Sequence, residues 1–133
     1  MNAEILERTP IRDRVIVLVS AEASYGELFR CEYIAREVSP VPRDHIHTQQ
    51  EERLEVLEGT VRCRVSGVVH LLAAGETMVM PPGTPHAVWN DDPRGSRSVS
   101  EYRPAMNAEA MFREFISERG AAIPARRLSR RMR

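Results

Sequence analysis

The chain alternates short apolar runs with polar turn residues, a pattern that is typical of an all-β domain. Val61, Cys63 and Val65 alternate with two arginines, which predicts a strand with one buried face. The same reasoning predicts further strands over residues 11–20, 27–38, 54–57, 68–72, 77–80, 86–89 and 98–102. Tight turns are expected between them at Glu58-Gly59, Ser66-Gly67 and Ala74-Gly75. These strands predict one β domain over residues 1–104.

One helix is predicted after the strands, over residues 105–120. Asn107 suits the N-cap, Met106 and Met111 stand where a hydrophobic staple would place them, and Gly120 suits the C-terminal stop. One face carries apolar residues at helical spacing, namely Ala108, Met111, Phe112, Phe115 and Ile116. We expect this face to cover an open side or end of the β domain, and contact with a second subunit is the alternative.

Size and charge narrow the possible partners. The chain has 133 residues, which suits a single core, and its 19 basic residues balance 19 acidic ones. A neutral chain has no general attraction to nucleic acid or to anionic membranes, so neither is expected as a partner. Every basic residue is arginine, which excludes lysine Schiff-base chemistry. The arginine-rich segment 121–133 is predicted to be a solvated, flexible tail.

The chain shows no feature of export. Its first residues lack the basic and apolar regions of a signal peptide, and the aliphatic run 15–19 is too short to span a bilayer. A cytoplasmic location is therefore expected. Cys31 and Cys63 lack CxxC spacing, so we interpret them as reduced thiols packed in strands, with a redox or metal role as the alternative.

Three of the four histidines lie in two separated segments that together predict a metal site. His45 and His47 are two residues apart, so a strand would direct both side chains to one face. Glu52 follows after a short loop, and His86 follows a Pro-Pro-Gly break. Imidazole and carboxylate groups are ligands for borderline divalent metals. The fourth histidine, His70, has no such neighbours and is interpreted as an ordinary strand residue.

The two segments resemble the paired motifs of the cupin superfamily. The first motif, H-x-H, three or four residues, Glu, six residues, Gly, is matched by His45, His47, Glu52 and Gly59, although Ser39 stands where the leading glycine is usual. The second motif is matched throughout by Gly75, Pro81, Gly83, His86 and Asn90. The spacing back from Gly59 selects Glu52 as the ligand and keeps Glu51 in reserve.

This resemblance covers about residues 25–104 and implies a double-stranded β-helix, or jelly-roll barrel. It also implies one divalent metal per chain, held by His45, His47, Glu52 and His86; Fe, Mn, Ni, Co, Cu and Zn all suit this ligand set. The barrel interior is expected to be aliphatic, formed by Leu54, Val56, Val61, Cys63, Val65 and Val88. Tyr33, Met78, Met80, Trp89 and Tyr102 are candidates for the mouth of the pocket, and Asn90 is expected to stabilise a turn.

The resemblance implies a metal-dependent protein that acts on a small, oxygen-bearing organic molecule. The leading hypothesis is a dioxygenase, in which Glu52 tunes the metal and accepts a proton. An isomerase or lyase that uses the metal as a Lewis acid is one alternative. A non-catalytic binding or sensing barrel is another, and a purely structural metal is a weaker third. We also expect a homodimer that pairs through an edge strand, with the strand at 11–20 as the candidate.

Overall fold

The computed structural model describes residues 4–8 and 13–119. They form nine strands and one helix: β1 Glu4–Arg8, β2 Asp13–Val19, β3 Phe29–Ala35, β4 Glu51–Glu58, β5 Thr60–Val65, β6 Val68–Ala73, β7 Thr77–Met80, β8 His86–Trp89, β9 Ser96–Arg103 and α1 Ala108–Arg119. Each of the eight ranges predicted from the alternating pattern contains a strand, and β4 and β9 extend furthest beyond the predicted bounds. The predicted helix stop at Gly120 and the predicted tail at 121–133 lie outside the described residues.

The strands form two antiparallel sheets. The larger has the order β1-β2-β3-β9-β4-β7, and the smaller has the order β6-β5-β8. This arrangement is consistent with a jelly roll, but within residues 4–8 and 13–119 the two sheets do not close into one barrel. Strand β7 is short and ends at Pro81-Pro82, and prolines also occupy the segment beside β8. Because proline has no N–H to donate, the segment after Met80 cannot continue β7 as a hydrogen-bonded strand.

The edge strand of the larger sheet was not predicted. Strand β1 pairs with β2 in an antiparallel register that places Ile5 opposite Ile16. The prediction of residues 11–20 as the edge is therefore wrong, because β1 covers β2. Strand β1 is short and largely charged, and of the residues Glu4, Ile5 and Leu6 only Leu6 is fully buried. Such a segment has no clear period-two pattern in its sequence.

The core has two parts. One lies between α1 and the strands β1, β2, β3 and β9, and its fully buried members include Leu6, Phe29 and Ile116. The other lies between the two sheets and contains Leu54, Val56, Val61, Cys63, Leu72 and Met80, with Val65 and Val88 packed against it. All six residues predicted for the interior therefore belong to, or pack against, this second part.

Helix α1 covers one side of the larger sheet, as predicted. Ala108 and Ile116 are buried, and Phe112 packs with its ring centroid 5.9 Å from that of Phe29. The predicted staple does not form a buried contact, because Met106 is 53% exposed and Met111 is 48% exposed. No helix in the described part of the chain has the length and apolar character needed to cross a membrane.

Ion pairs connect α1 to the sheet edge and cross the outer face of the larger sheet. Arg113 on α1 forms a two-pronged ion pair with Glu4 of β1 and also contacts Glu109 one turn earlier. On the outer face of β9, Arg97 binds Glu32 and Glu58 of the two neighbouring strands. These outward contacts leave the other face of β9 turned toward the interior between the sheets.

Candidate metal centre

The segment before β4 supports two of the predicted ligands without forming a regular strand. His45 exchanges two backbone hydrogen bonds with His86, at 2.8 and 2.9 Å, and the carbonyl of His47 accepts a hydrogen bond from the N–H of Gly83. His45 is thus a single bridge residue, and His47 lies in an irregular stretch. The strand expected over both histidines is not formed. The bridge from His45 to His86 and the hydrogen bond from Gly83 to His47 instead hold both rings beside that of His86.

The four predicted ligands lie together between the two sheets. One ligand atom from each of His45, His47, Glu52 and His86 lies within 4.8 Å of the others. The imidazole centroids are 4.5 Å apart for His45 and His86 and 5.2 Å apart for His47 and His86. Glu52 and His86 are buried, whereas His45 is exposed at the opening. The cluster is therefore closed on its inner side and open on its outer side.

The alternation of side chains along β4 determines which of two adjacent glutamates, Glu51 or Glu52, faces the histidines. Glu52 is 4% exposed and shares the inward face of β4 with Leu54 and Val56. Glu51 is the preceding residue, so its side chain leaves the opposite face of the strand. The structure therefore places Glu52 in the cluster and leaves Glu51 outside it, as the motif spacing indicated.

Hydrogen bonds orient His86. One ring nitrogen, Nδ1, lies 2.8 Å from the carbonyl oxygen of Thr84, and the other, Nε2, lies 3.0 Å from Oε1 of Glu52. Burial lowers the pKa of His86, but the bonds to Glu52 and Thr84 outweigh burial and raise the pKa above its ordinary value. Since Nδ1–H can donate only to the Thr84 carbonyl, Nε2 is the nitrogen available to a metal.

The other two histidines favour the neutral form. Burial lowers the pKa of His45, and the neighbouring His86 and His47 lower it further against the opposing effect of Glu52. Burial likewise lowers the pKa of His47, again opposed by Glu52. Neutral imidazole is the form that binds metal. These three histidines and one carboxylate are a donor set that suits a divalent transition metal, and their proximity fits one ion.

The cluster opens into a cavity of about 710 Å³ between the sheets. Tyr33, Trp89 and Tyr102 line it, as predicted for the pocket. Met78 and Met80 do not line it; Met80 is fully buried in the core between the sheets, and Met78 packs against that core. The volume lies within the range of pockets that enclose small organic ligands.

Several polar residues of the cavity were missed from the sequence. Ser96, Ser98 and Ser100 project inward from β9, and Asp13 approaches from the start of β2. Asp13 is 2% exposed and accepts hydrogen bonds from the hydroxyl of Tyr33 and the backbone N–H of Arg36. The serine alternation in the sequence was the available signal, although it resembled a solvent-exposed face.

Two further predictions concern side chains near the site. Cys31 and Cys63 are buried free thiols, and burial raises the pKa of Cys63 to about 11. Both thiols are therefore protonated at neutral pH, as expected for packing residues. The amide of Asn90 donates to the carbonyls of Glu37 and Asp92, so this side chain stabilises the turn after β8.

Taken together, the fold and the cluster define a two-sheet β protein with a candidate metal centre between its sheets. The family model "Cupin domain" matches residues 30–97. The chain belongs to this cupin family, as the motifs indicated. No curated protein sequence matches it.

Solved structures share the fold. An RmlC-like cupin from Shewanella frigidimarina has 22% sequence identity and a TM-score of 0.64 over 80% of this chain and 88% of its own. KdgF from Halomonas sp. has 16% identity and a TM-score of 0.65 over 80% and 92%. A predicted oxalate decarboxylase from Thermotoga maritima has 16% identity and a TM-score of 0.65 over 78% and 93%. At these identities the similarity shows the fold alone.

Proposed function

We propose that this cupin is a metalloenzyme that binds one divalent transition metal through His45, His47, Glu52 and His86 and oxidises a small, oxygen-bearing organic molecule with O₂. The observation that carries the proposal is the convergence of these four ligand atoms within 4.8 Å of one another, with His45, His47 and Glu52 lining the cavity. A divalent transition metal held by these four side chains would supply Lewis acidity to an oxygen group of the substrate.

The residues around the metal centre have three further roles in the proposed reaction: orienting a ligand, accepting a proton and excluding water. Thr84 holds the ring of His86 in one orientation through its 2.8 Å hydrogen bond. Glu52 is buried beside His86 and is the carboxylate that would accept a proton from the substrate. Leu54, Val61 and Val88 line the cavity with aliphatic surface, which limits the access of water to the reacting atoms.

A second candidate is an isomerase or lyase that uses the metal as a Lewis acid without O₂. Tyr102 favours it, because Tyr102 lies opposite Glu52 in the β4–β9 register and its ring centroid lies 6.3 Å from that of His47. Burial, followed by the charge of Glu52, raises the pKa of Tyr102 well above its ordinary value, so its hydroxyl stays protonated. A protonated phenol beside a carboxylate supplies the acid and base that proton transfer within a substrate requires.

Turnover in the presence and absence of O₂ tests the proposal. The protein is loaded separately with Fe²⁺, Mn²⁺, Ni²⁺ and Zn²⁺ and incubated with enolisable and catecholic acids while O₂ consumption is recorded. Incorporation of ¹⁸O from ¹⁸O₂ into product is the expected result. Product formation under strict anaerobiosis would instead establish the Lewis-acid reaction. Tight ligand binding without product in either atmosphere would identify a binding module and overturn both enzymatic candidates.

The assembly state is a separate proposal. We propose a homodimer, and the edge strand β1 replaces residues 11–20 as the candidate for pairing, because it is the outermost strand of the larger sheet. Light scattering coupled to gel filtration measures the mass directly. A monomer at micromolar concentration would contradict the proposal without affecting the metal centre.

A further inference from the structure

The segment between β3 and β4 forms one wall of the cavity, because its residues 39–43 line it. Backbone hydrogen bonds anchor this segment on both sides of Arg43. Before it, the N–H of Ser39 donates to a carbonyl of the turn after β8 at 2.9 Å. After it, His45 exchanges two backbone hydrogen bonds with His86. The backbone that carries Arg43 is therefore held in place beside the candidate metal centre.

Arg64 of β5 holds the same segment at a third place. Its guanidinium donates to the carbonyl of Pro42 at 3.0 Å and to the carboxylate of Asp44 at 2.8 Å. Asp44, the acidic residue next to Arg43 in the chain, is thus committed to another arginine. In the part of the chain that the structure describes, no hydrogen bond or ion pair joins the guanidinium of Arg43 to another residue. Arg43 therefore offers a positive charge that the described residues leave unpaired.

The charged residues of the cavity wall differ in whether their charge is available to a ligand. Apart from the histidines, those that the structure places there are Asp13, Arg43 and Glu52. Glu52 belongs to the candidate metal centre. Both carboxylate oxygens of Asp13 accept hydrogen bonds, one from the hydroxyl of Tyr33 and one from the N–H of Arg36, and Asp13 has a further interaction. Among the described residues of the wall, Arg43 is therefore the charged group that is free to bind a ligand.

Arg43 and the metal ligands form two positive centres that lie close together. Arg43 precedes His45 by two residues, so their Cα atoms are at most about 7 Å apart. A divalent metal with one carboxylate ligand keeps net positive charge, and the guanidinium adds a separate positive charge near it. Aliphatic side chains of the same wall, Leu54, Val61 and Val88, suit carbon atoms between these centres. This arrangement matches a molecule in which a short carbon chain joins two anionic groups.

We propose that the substrate class is a short aliphatic dicarboxylate and that Arg43 is the residue that selects it. One carboxylate lies at the metal centre, and the other is bound by Arg43, whose planar guanidinium matches the two oxygens of a carboxylate. A phosphorylated acid carries more negative charge than these two positive centres neutralise. This inference rests on the proposed metal centre and deepens it by naming what the cavity binds. Arg43 itself takes no part in holding the metal.

Calorimetric titration of the Zn²⁺-loaded protein with matched acids tests the inference. Succinate and glutarate carry two carboxylates, and butyrate and valerate are the monocarboxylates with the same numbers of carbons. The tighter of the two dicarboxylates is expected to bind about tenfold or more tightly than its matched monocarboxylate, as hydrogen bonds between charged groups predict. Phosphoglycolate, which replaces one carboxylate by a phosphate, is expected to bind more weakly than that dicarboxylate. Metal content is measured again after each titration, to show that the acid has not removed the ion.

Two variants and one control assign the selectivity to Arg43. Arg43→Gln should weaken the dicarboxylate about tenfold or more and change the matched monocarboxylate by less than about twofold. Arg43→Lys keeps the charge but loses the paired N–H geometry, so its dicarboxylate affinity should lie between the two. Arg36→Gln is the control, because Arg36 is also exposed and its side chain has no described partner, but it does not line the cavity. This control should change neither affinity, and circular dichroism establishes that each variant is folded.

The outcomes separate this inference from the proposed function. A protein that takes up no metal would overturn both. A metal-loaded protein that binds none of the acids, or that binds each monocarboxylate as tightly as its matched dicarboxylate, would overturn only the selection by Arg43. Tighter binding of phosphoglycolate would overturn the assignment of a dicarboxylate. If Arg43→Gln weakened both members of a pair equally, or if Arg36→Gln had the same effect as Arg43→Gln, the charge of Arg43 would act only as general attraction and the inference would be wrong.

Discussion

The Nε2 atom of His86 lies 3.0 Å from Oε1 of Glu52, and both side chains are buried at the inner end of the candidate metal centre. The other ring nitrogen, Nδ1, donates to the carbonyl oxygen of Thr84. The Glu52 carboxylate and the Thr84 carbonyl both favour the protonated imidazolium form of His86. In the metal-free protein, His86 therefore keeps a proton at pH values where an isolated histidine has lost it. A metal must displace this proton before Nε2 can bind it.

Metal affinity should consequently depend on pH. The raised pKa of His86 stabilises the metal-free fold fully below the unfolded pKa of about 6.5, and that contribution is lost as pH rises through the higher folded value. Metal affinity has the opposite pH dependence, because protons compete with the metal for Nε2. It should fall about tenfold for each pH unit below the pKa of His86. Competition with a calibrated chelator between pH 5.5 and 8.5 measures it. An affinity that does not change across this range would refute the assignment of His86.

Loss of one ligand should abolish stable metal uptake. We expect His47→Ala and Glu52→Gln to lower metal affinity by more than tenfold, since even partners that only orient ligands are worth about 10- to 100-fold. Elemental analysis of dialysed protein provides the measurement. Glu51→Gln and His70→Ala are matched controls from outside the cluster and should retain the metal content of the unchanged protein, which we expect to be about one ion per chain. Full metal content in His47→Ala would show that the site is assigned wrongly.

Gly95 should not tolerate a side chain. Its φ is +87°, and a Cβ built there would lie 2.6 Å from the carbonyl oxygen of Ala35. Gly95→Ala should cost about 1–2 kcal/mol for the left-handed backbone and a further ~1–3 kcal/mol for displacing Ala35. Gly67→Ala is the control, because φ at Gly67 is +81° but the space around it is open, so only the backbone cost applies. Equal urea midpoints for the two variants would contradict this explanation.

The packing of helix α1 on the larger sheet should depend on the aromatic contacts of Phe112. Its ring centroid lies 5.9 Å from that of Phe29 and 5.7 Å from that of Tyr102. Phe112→Ala should lower the free energy of unfolding by about 3 kcal/mol, the lower end for buried phenylalanine, because Phe112 is only partly buried. Met111→Ala, at the adjacent half-exposed position, should cost less than about 1 kcal/mol. Chemical denaturation compares them, and equal costs would show that the aromatic cluster does not anchor α1.

The sequence predicted the features that depend on local pattern. The alternation of Val61, Cys63 and Val65 correctly predicted β5, and motif spacing correctly brought Glu52 rather than Glu51 to the three histidines. Strand β1 was missed because its stability comes from pairing with β2 and from the ion pair between Glu4 and Arg113, which is distant in sequence. Neither contact leaves a local signal.

The polar side of the cavity was missed for a different reason. In β9 the apolar residue Val99 shares the outer face with Arg97 and Glu101, while the serines face inward. A prediction that places apolar residues in the core would turn Val99 inward and the serines outward, which is the reverse of what the structure shows. Asp13 was missed because its partner Tyr33 lies on the neighbouring strand, so only the register of β2 and β3 brings them together.

The two faces of β9 carry residues with different roles. Arg97 and Glu101 join neighbouring strands through ion pairs on one side, while Ser96, Ser98 and Ser100 face the cavity on the other. A substitution at one of the three serines should therefore change the lining of the cavity without removing the ion pairs that join β9 to β3 and β4.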